Sequence, residues 1–304
     1  MYARPNIPIV KLLLLIKILC SFKILYTHDF IYKEFFLKFL IIEVEYLFLI
    51  KIFCWLKPVL VISPIKQFVD LIPKNAKHKT KVLTPIRNTP DIRKKFRVGL
   101  LNNCVQQSLV PSIEDATVRI LERHGCEVIS TGGCCGALNH QLGQEKETLK
   151  NMVENINSWY AVDSKKRLDA IIVNVSGCGT MVKDYGFILR NNSVFYKKAK
   201  RISAITQDIT EFLSKINLKK PVINPGFKVA YQAPCSLSHG QKIVKEPVLL
   251  LEKCGFKVFQ PRDQHQCCGS AGTYNLLQNE IATSLRDKKV SALAALAPET
   301  IASG

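Results

Sequence analysis

Several things are missing from this 304-residue sequence, and each absence closes off a class of function. It has no Ser-His-Asp set, no phosphate-binding loop and no G-x-G-x-x-G fingerprint, so neither triad hydrolysis nor dinucleotide binding is expected. No C-x2-C knuckle occurs, which disfavours a structural zinc site of the common kind. A secretory n-region, h-region and small-residue cleavage site do not occur in the usual order. No uninterrupted apolar run reaches the roughly 20 residues of a membrane-spanning helix. Residues 9–26 are broken by Lys11, Lys17 and Lys23, and residues 35–56 carry Lys38, Glu43, Glu45 and Lys51. Residues 1–57 are therefore expected to form amphipathic apolar helices lying on a partner or a membrane surface, with a transmembrane segment as the lesser alternative and Cys20 and Cys54 as buried thiols.

The charge is strongly one-signed. Lys and Arg number 43 against 24 Asp and Glu, a formal net charge of +19. Residues 1–103 hold most of the excess, a net +12, with lysines scattered among leucines and phenylalanines. No nucleic-acid signature accompanies them, so nucleic acid is not expected as a partner. Attraction to acidic partners or anionic headgroups fits better. Residues 58–96, punctuated by Pro58, Pro64, Pro73, Pro85 and Pro90, read as a linker.

What is abundant is cysteine, 11 in all and clustered. Clustered thiols without export signals point to a reducing compartment, where they hold metals or do redox work. Gly132-Gly133-Cys134-Cys135-Gly136 has a near copy in Gln266-Cys267-Cys268-Gly269-Ser270. Around each copy the order of parts repeats. An apolar run leads to a lone cysteine (Cys104 or Cys235), followed by a helix-like segment ending in glycine, a β-rich run and the paired cysteines. One such pair would be an ordinary small-residue turn. Two with matching flanks indicate a ligand site.

The spacing predicts β, α, β, α, β from Arg97 onward: strands at 98–101, 128–129 and 170–174, a helix from an N-cap at Ser112 to about His124, and a helix at 145–159. Helices near 195–202 and 209–216 close a first half, 97–222. A second half, 223–304, restarts with a strand at 228–232. It continues with a helix at 246–254, a strand at 257–260, and two helices at 276–285 and 288–296. The expected fold is α/β, with two pseudo-repeated cysteine-rich halves built on short parallel sheets and preceded by apolar helices. Cys104, Cys134, Cys135 and Cys178 should all lie beyond the carboxyl ends of strands, where open α/β sheets place their ligands. Four gathered thiolates suit an iron–sulfur cluster better than zinc, since adjacent cysteines can serve neighbouring irons. Cys126 and Cys254 do not recur between the halves and should be packing residues. His140, His239 and His265 lie near the motifs and are expected to be solvent-exposed or hydrogen-bonded to sulfur.

The segments NNCVQQSLVPSIEDATVRILERHGCEV, GGCCGALNH, SGCGTMVKDYG, APCSLSHGQ and CCGSAGTYNLLQNEIATSLRDKK together resemble the glycolate oxidase (glycolate dehydrogenase) iron–sulfur subunits. These belong to the cysteine-rich CCG-domain group, which also includes heterodisulfide reductase and lactate-utilisation subunits. The resemblance runs from about residue 97 to the end. It implies an electron-transfer oxidoreductase subunit whose FAD-binding partner oxidises a 2-hydroxy acid such as glycolate to glyoxylate, with electrons passed through 4Fe–4S clusters toward a membrane acceptor. It implies Cys104, Cys134, Cys135 and Cys178 as the first ligand set and Cys235, Cys267 and Cys268 as the second. No residue here is expected to act on the substrate itself. A cytoplasmic location follows, with peripheral contact at the inner face of the cell membrane and a further complex subunit. The family's ferredoxin-like amino-terminal part and a final cysteine beyond Gly304 have no counterpart, so a shortened chain is expected. Alternatives are a heterodisulfide-reductase-like or lactate-utilisation subunit, or a metal-free scaffold; the lone Cys178 in SGCG weighs against the first.

Overall fold

Every strand among the described residues pairs parallel with its neighbours, and the central strands β1 and β3 are apolar runs, which together set the architecture. The computed structural model describes residues 95–216, 218, 219, 221 and 226–304. The expectations for residues 1–57, and for all but the last two residues of the 58–96 linker, lie outside them.

The first half begins with β1 (Phe96–Leu101), α1 (Cys104–Leu109), α2 (Pro111–Arg123) and β2 (Cys126–Thr131). It continues through α3 (Ala137–Gln141), α4 (Glu145–Lys165), β3 (Ala170–Val173) and α5 (Ser176–Ile188). It closes with α6 (Tyr196–Ile205), β4 (Thr206–Asp208) and α7 (Ile209–Lys215). The sheet order is β2-β1-β3-β4, parallel throughout. Alternation along the strands gives each face its own core. Ile171 and Val173 join Leu101, Met152, Ile156, Trp159 and Tyr185 on one side. Ala170 and Ile172 join Val98, Leu100, Leu121 and Phe212 on the other. A parallel sheet covered on both faces requires such continuous apolar strands.

The second half holds β5 (Lys228–Gln232), a π-helical turn (Ser236–Gly240), α8 (Glu246–Lys253) and β6 (Lys257–Phe259). After these come α9 (Tyr274–Leu277), α10 (Asn279–Ala294) and β7 (Thr300–Ser303). Its sheet, β6-β5-β7, is also parallel and repeats the order β2-β1-β3. The two halves are therefore one plan built twice, the second copy with fewer strands.

Local details depart from the sequence reading. Ser112 does not cap α2: Val110 holds that place without a side-chain bond, and Pro111 starts the helix. Proline suits the first helical position, where its missing N–H is not needed. Strand β4 falls between the helices read at 195–202 and 209–216, where three residues are too short to give a periodicity signal. The predicted break between helices at 276–285 and 288–296 does not exist; α10 runs through it. Helix α5 starts at Ser176, so Cys178 sits in a helical first turn.

Candidate functional site

Strand ends decide where the cysteines go. β1 ends at Leu101 and leads through Asn102-Asn103 to Cys104, β2 leads to Cys134-Cys135, and β3 leads to Cys178. Parallel strands point the same way, so all three loops open at one edge. Asparagines tie the loops together. Asn103 donates from Nδ2 to Asn174 Oδ1 at 2.6 Å, and Asn174 donates to Thr117 Oγ1 at 2.8 Å. Asn102 donates to the Gly132 carbonyl at 3.3 Å and accepts from Ser130.

The four thiols meet there in two hydrogen-bonded pairs, Cys104 with Cys134 and Cys135 with Cys178. Cys104 is held far above the usual thiol range, first by its bond to Cys134, then by burial and by the sulfurs of Cys134 and Cys135. Cys135 is raised in the same way, by its bond to Cys178, by burial and by Cys178 and Cys134. In opposition, the Val105 N–H donates to Cys104 and the Ala137 N–H to Cys135, which favours the thiolate. Four sulfur anions cannot share this space without a compensating cation.

A second layer fixes the paired cysteines. Asn155 lies on the buried stripe of α4 with Met152, Ile156 and Trp159. Its Oδ1 accepts from the Gly133 N–H at 2.7 Å, and its Nδ2 donates to the Cys134 carbonyl at 2.8 Å and to Tyr185 Oη at 3.1 Å. Tyr185 in turn donates to the Cys135 carbonyl at 2.8 Å. Burial, and then the Cys135 sulfur, push the Tyr185 phenol well above its ordinary range, so it remains a donor. Neither residue was singled out from the sequence. The available signal was an asparagine between Met152, Ile156 and Trp159 on one helical stripe.

The cysteine-pair glycines match. Gly136 and Gly269 have φ of 80° and 81°, and each backs onto the second helix after it, α4 or α10. Left-handed backbone of this kind favours glycine. In the second half, however, the thiols are more open. Cys235 and Cys267 are exposed, Cys268 is half-buried, and no hydrogen bond joins Cys235 to the pair. Their loops do approach, with the rings of His239 and His265 5.8 Å apart. The buried Lys289 holds the loop before Cys267 by donating to the Gln264 carbonyl at 2.9 Å. His140 is exposed on α3. Cys126 is buried at the start of β2, and Cys254 ends α8 half-buried.

The halves join at the site edge. Ser236 donates to Ser176 Oγ at 2.8 Å, Thr180 donates to the Ser236 carbonyl at 2.9 Å, and Gln241 donates to the Ser176 carbonyl at 2.9 Å. The turn after Cys178 thus packs on the turn after Cys235.

The donor set near Cys104 is all sulfur. Among the described residues, no three Cys, His, Asp or Glu side chains are set to hold one metal ion. Thiols arranged in two neighbouring pairs fit a multi-iron cluster, where each sulfur serves its own iron, better than a single tetrahedral ion. Among the described residues no helix is long and apolar enough to cross a membrane.

Comparison with known proteins matches residues 98–183 and 229–304 to the family described as "CCG: Cysteine-rich domain". The chain is 38% identical over 215 residues to the "Glycolate oxidase iron-sulfur subunit" of Escherichia coli, covering 70% of this chain and 52% of that protein. It is 29% identical over 235 residues to the "Probable glycolate oxidase iron-sulfur subunit" of Bacillus subtilis, covering 73% and 49%. To the "Lactate utilization protein A" of Bacillus licheniformis it is 27% identical over 212 residues, covering 68% and 86%. The chain spans about half the length of the first two.

Proposed function

The chain belongs to the cysteine-rich CCG-domain family, and from that premise we propose that it is an iron–sulfur electron-transfer subunit of a glycolate oxidase type complex. The single observation that carries this proposal is the meeting of Cys104, Cys134, Cys135 and Cys178 at one sheet edge. The similarity to proteins named as glycolate oxidase iron–sulfur subunits supports it.

In this proposal those four cysteines hold the first cluster as thiolates, and Cys235, Cys267 and Cys268 contribute to a second. A bound cluster, of the 4Fe–4S type, would supply one-electron carriage between a flavin and a downstream acceptor. The chain's own residues prepare the place. The Val105 and Ala137 N–H groups stabilise sulfur charge, and Asn155 and Tyr185 hold the Cys134–Cys135 backbone in register. Because Cys104 and Cys135 keep their protons unless a metal displaces them, loading should release protons and improve with rising pH. Oxidation of the 2-hydroxy acid falls to an FAD-binding partner. The complex is placed in the cytoplasm, with peripheral contact at the membrane that carries the acceptor.

The test is iron and acid-labile sulfide analysis of anaerobically purified chain, with electron paramagnetic resonance of the reduced form. Several irons and sulfides per chain are expected, falling sharply in Cys134→Ser and Cys135→Ser. Zinc or no metal in freshly purified and reconstituted protein would overturn the proposal and leave a scaffold. A lactate-utilisation subunit is the second candidate, favoured by the fuller coverage of that relative, 86% against 52%. Cluster reduction by lactate rather than glycolate, through the co-purified flavoprotein, would select it.

A further inference from the structure

Two basic runs, Lys165-Lys166-Arg167 and Lys197-Lys198 with Arg201, lie about 30 residues apart in sequence. The packing of α6 beside the end of α4 brings them around one cavity of about 460 Å³. Six cations line it against a single carboxylate, Asp163. That carboxylate is already committed. It accepts from Arg201 Nε at 3.2 Å and Nη2 at 3.1 Å, and from the Leu168 N–H at 2.8 Å. Burial acts to raise the Asp163 carboxyl, but the Arg201 bonds, the Leu168 N–H and the charges of Arg201 and Arg167 together outweigh it and the net shift is downward, so it stays charged. Arg201 also donates from Nη2 to the Leu168 carbonyl at 3.1 Å, which locks the guanidinium plane. Its Nη1 donors have no partner among the described residues. Lys198 is held over the Tyr160 ring at 4.9 Å, and Lys166 makes a loose, mostly exposed pair with Glu127 at 3.7 Å.

The cavity therefore combines a fixed, forked donor with a surplus of lysine and arginine over the one carboxylate that lines it. Like charges this close repel, so an arrangement of this kind is relieved by an anion. The surface is concave and far larger than one phosphate needs, and several cations face it, which matches a ligand with two or more adjacent negative charges. It lies where α4 ends and β3 begins, the amino edge of the sheet, whereas the thiols lie at the carboxyl edge. We propose that this cavity binds a small polyanion of the diphosphate class, at a site separate from the cysteines. Guanidinium and ammonium groups grouped in a cleft are the usual means of holding such groups.

The test is isothermal titration of the full chain with inorganic pyrophosphate and with orthophosphate, at a fixed ionic strength of about 150 mM where exposed charges are screened. Saturable pyrophosphate binding is expected, about tenfold or more tighter than orthophosphate. It should weaken at least about tenfold in Lys197→Ser/Lys198→Ser, whose mutated side chains make no structural hydrogen bond, and be unchanged in Lys257→Ser on β6. Circular dichroism and thiol titration should be the same for all three proteins. Absence of saturable binding, or equal binding by the double variant, would overturn the proposal. So would Lys197- and Lys198-dependent binding to phosphatidylglycerol vesicles without pyrophosphate binding, which would make the surface a lipid contact.

Discussion

Asn155 concentrates more of this site than any single cysteine does, because one side chain makes three hydrogen bonds within it. Replacing it with the similarly sized leucine leaves the Gly133 N–H and the Cys134 carbonyl without that partner. Unmade buried hydrogen bonds cost about 1–3 kcal/mol each, so Asn155→Leu should destabilise by about 2–6 kcal/mol in urea unfolding. Tyr185→Phe removes one donor from the Cys135 carbonyl and should cost less, about 1 kcal/mol. Cys126 gives a separate pH signature. Burial, and then the charge of Asp169, push its thiol from 9.0 up to about 11. A group raised in the folded state contributes stability below its unfolded value and loses it as pH rises past that value. Between pH 9 and pH 11 the chain should therefore lose at most about 2–3 kcal/mol that Cys126→Ala does not lose, read from urea midpoints across that range.

Elements show why the two cysteine pairs can be equivalent and yet tolerate change differently. A Cβ at Gly136 would meet the Thr148 carbonyl at 3.4 Å, whereas one at Gly269 would fall on the Ala282 carbonyl, which is backbone and cannot turn aside. Both alanine variants incur left-handed strain of about 1 kcal/mol or more. Gly269→Ala should be clearly the more damaging of the two, seen as the larger drop in melting temperature. Helix α7 depends on a cap of the usual kind, with Asp208 accepting from the Thr210 N–H at 2.8 Å. Asp208→Ala should cost about 1 kcal/mol in chemical denaturation. Some of this scale was legible in advance. The apolar strands at 98–101, 170–174 and 228–232 announced themselves by composition, and α2, α4 and α8 by periodicity. Helix α5 was not legible, since Ser176-Gly177-Cys178-Gly179 carries two residues that disfavour helix, and packing against β4 and α6 overrides that preference. The end of α10 reads as a separate helix in sequence because the polar run Arg286-Asp287-Lys288-Lys289 interrupts the apolar pattern, yet no glycine or proline breaks the backbone there and the helix continues.

At the scale of the described halves, a polar seam between them runs through the turns that follow Cys178 and Cys235, and α7 packs on α8 beside it. A side chain at Gly179 would strike Gln241 Nε2 at 2.6 Å and disturb its bond to the Ser176 carbonyl. Gly179→Leu should wedge the turns apart. A single calorimetric transition would then be expected to split into two separated by about 5 °C or more, with the four-stranded half melting last. That half has two cores, one on each face of its sheet, while β6 and β7 in the second leave Phe259 and Ile301 exposed.

By itself the sequence determined the twice-used plan, the parallel α/β class and the family, because repeated cysteine order and unbroken apolar strands are local patterns that survive any packing. It also pointed to Cys104, Cys134, Cys135 and Cys178 as one group, through the rule that parallel strands open their loops at a common edge. Only the tertiary structure decided which thiols pair, that Asn155 and Tyr185 grip their backbone, and that two distant basic runs face each other across one cavity. Those outcomes depend on the angle and depth at which helices settle on a sheet. Those quantities are fixed by side-chain packing between segments far apart in the chain, and no short stretch of sequence contains them.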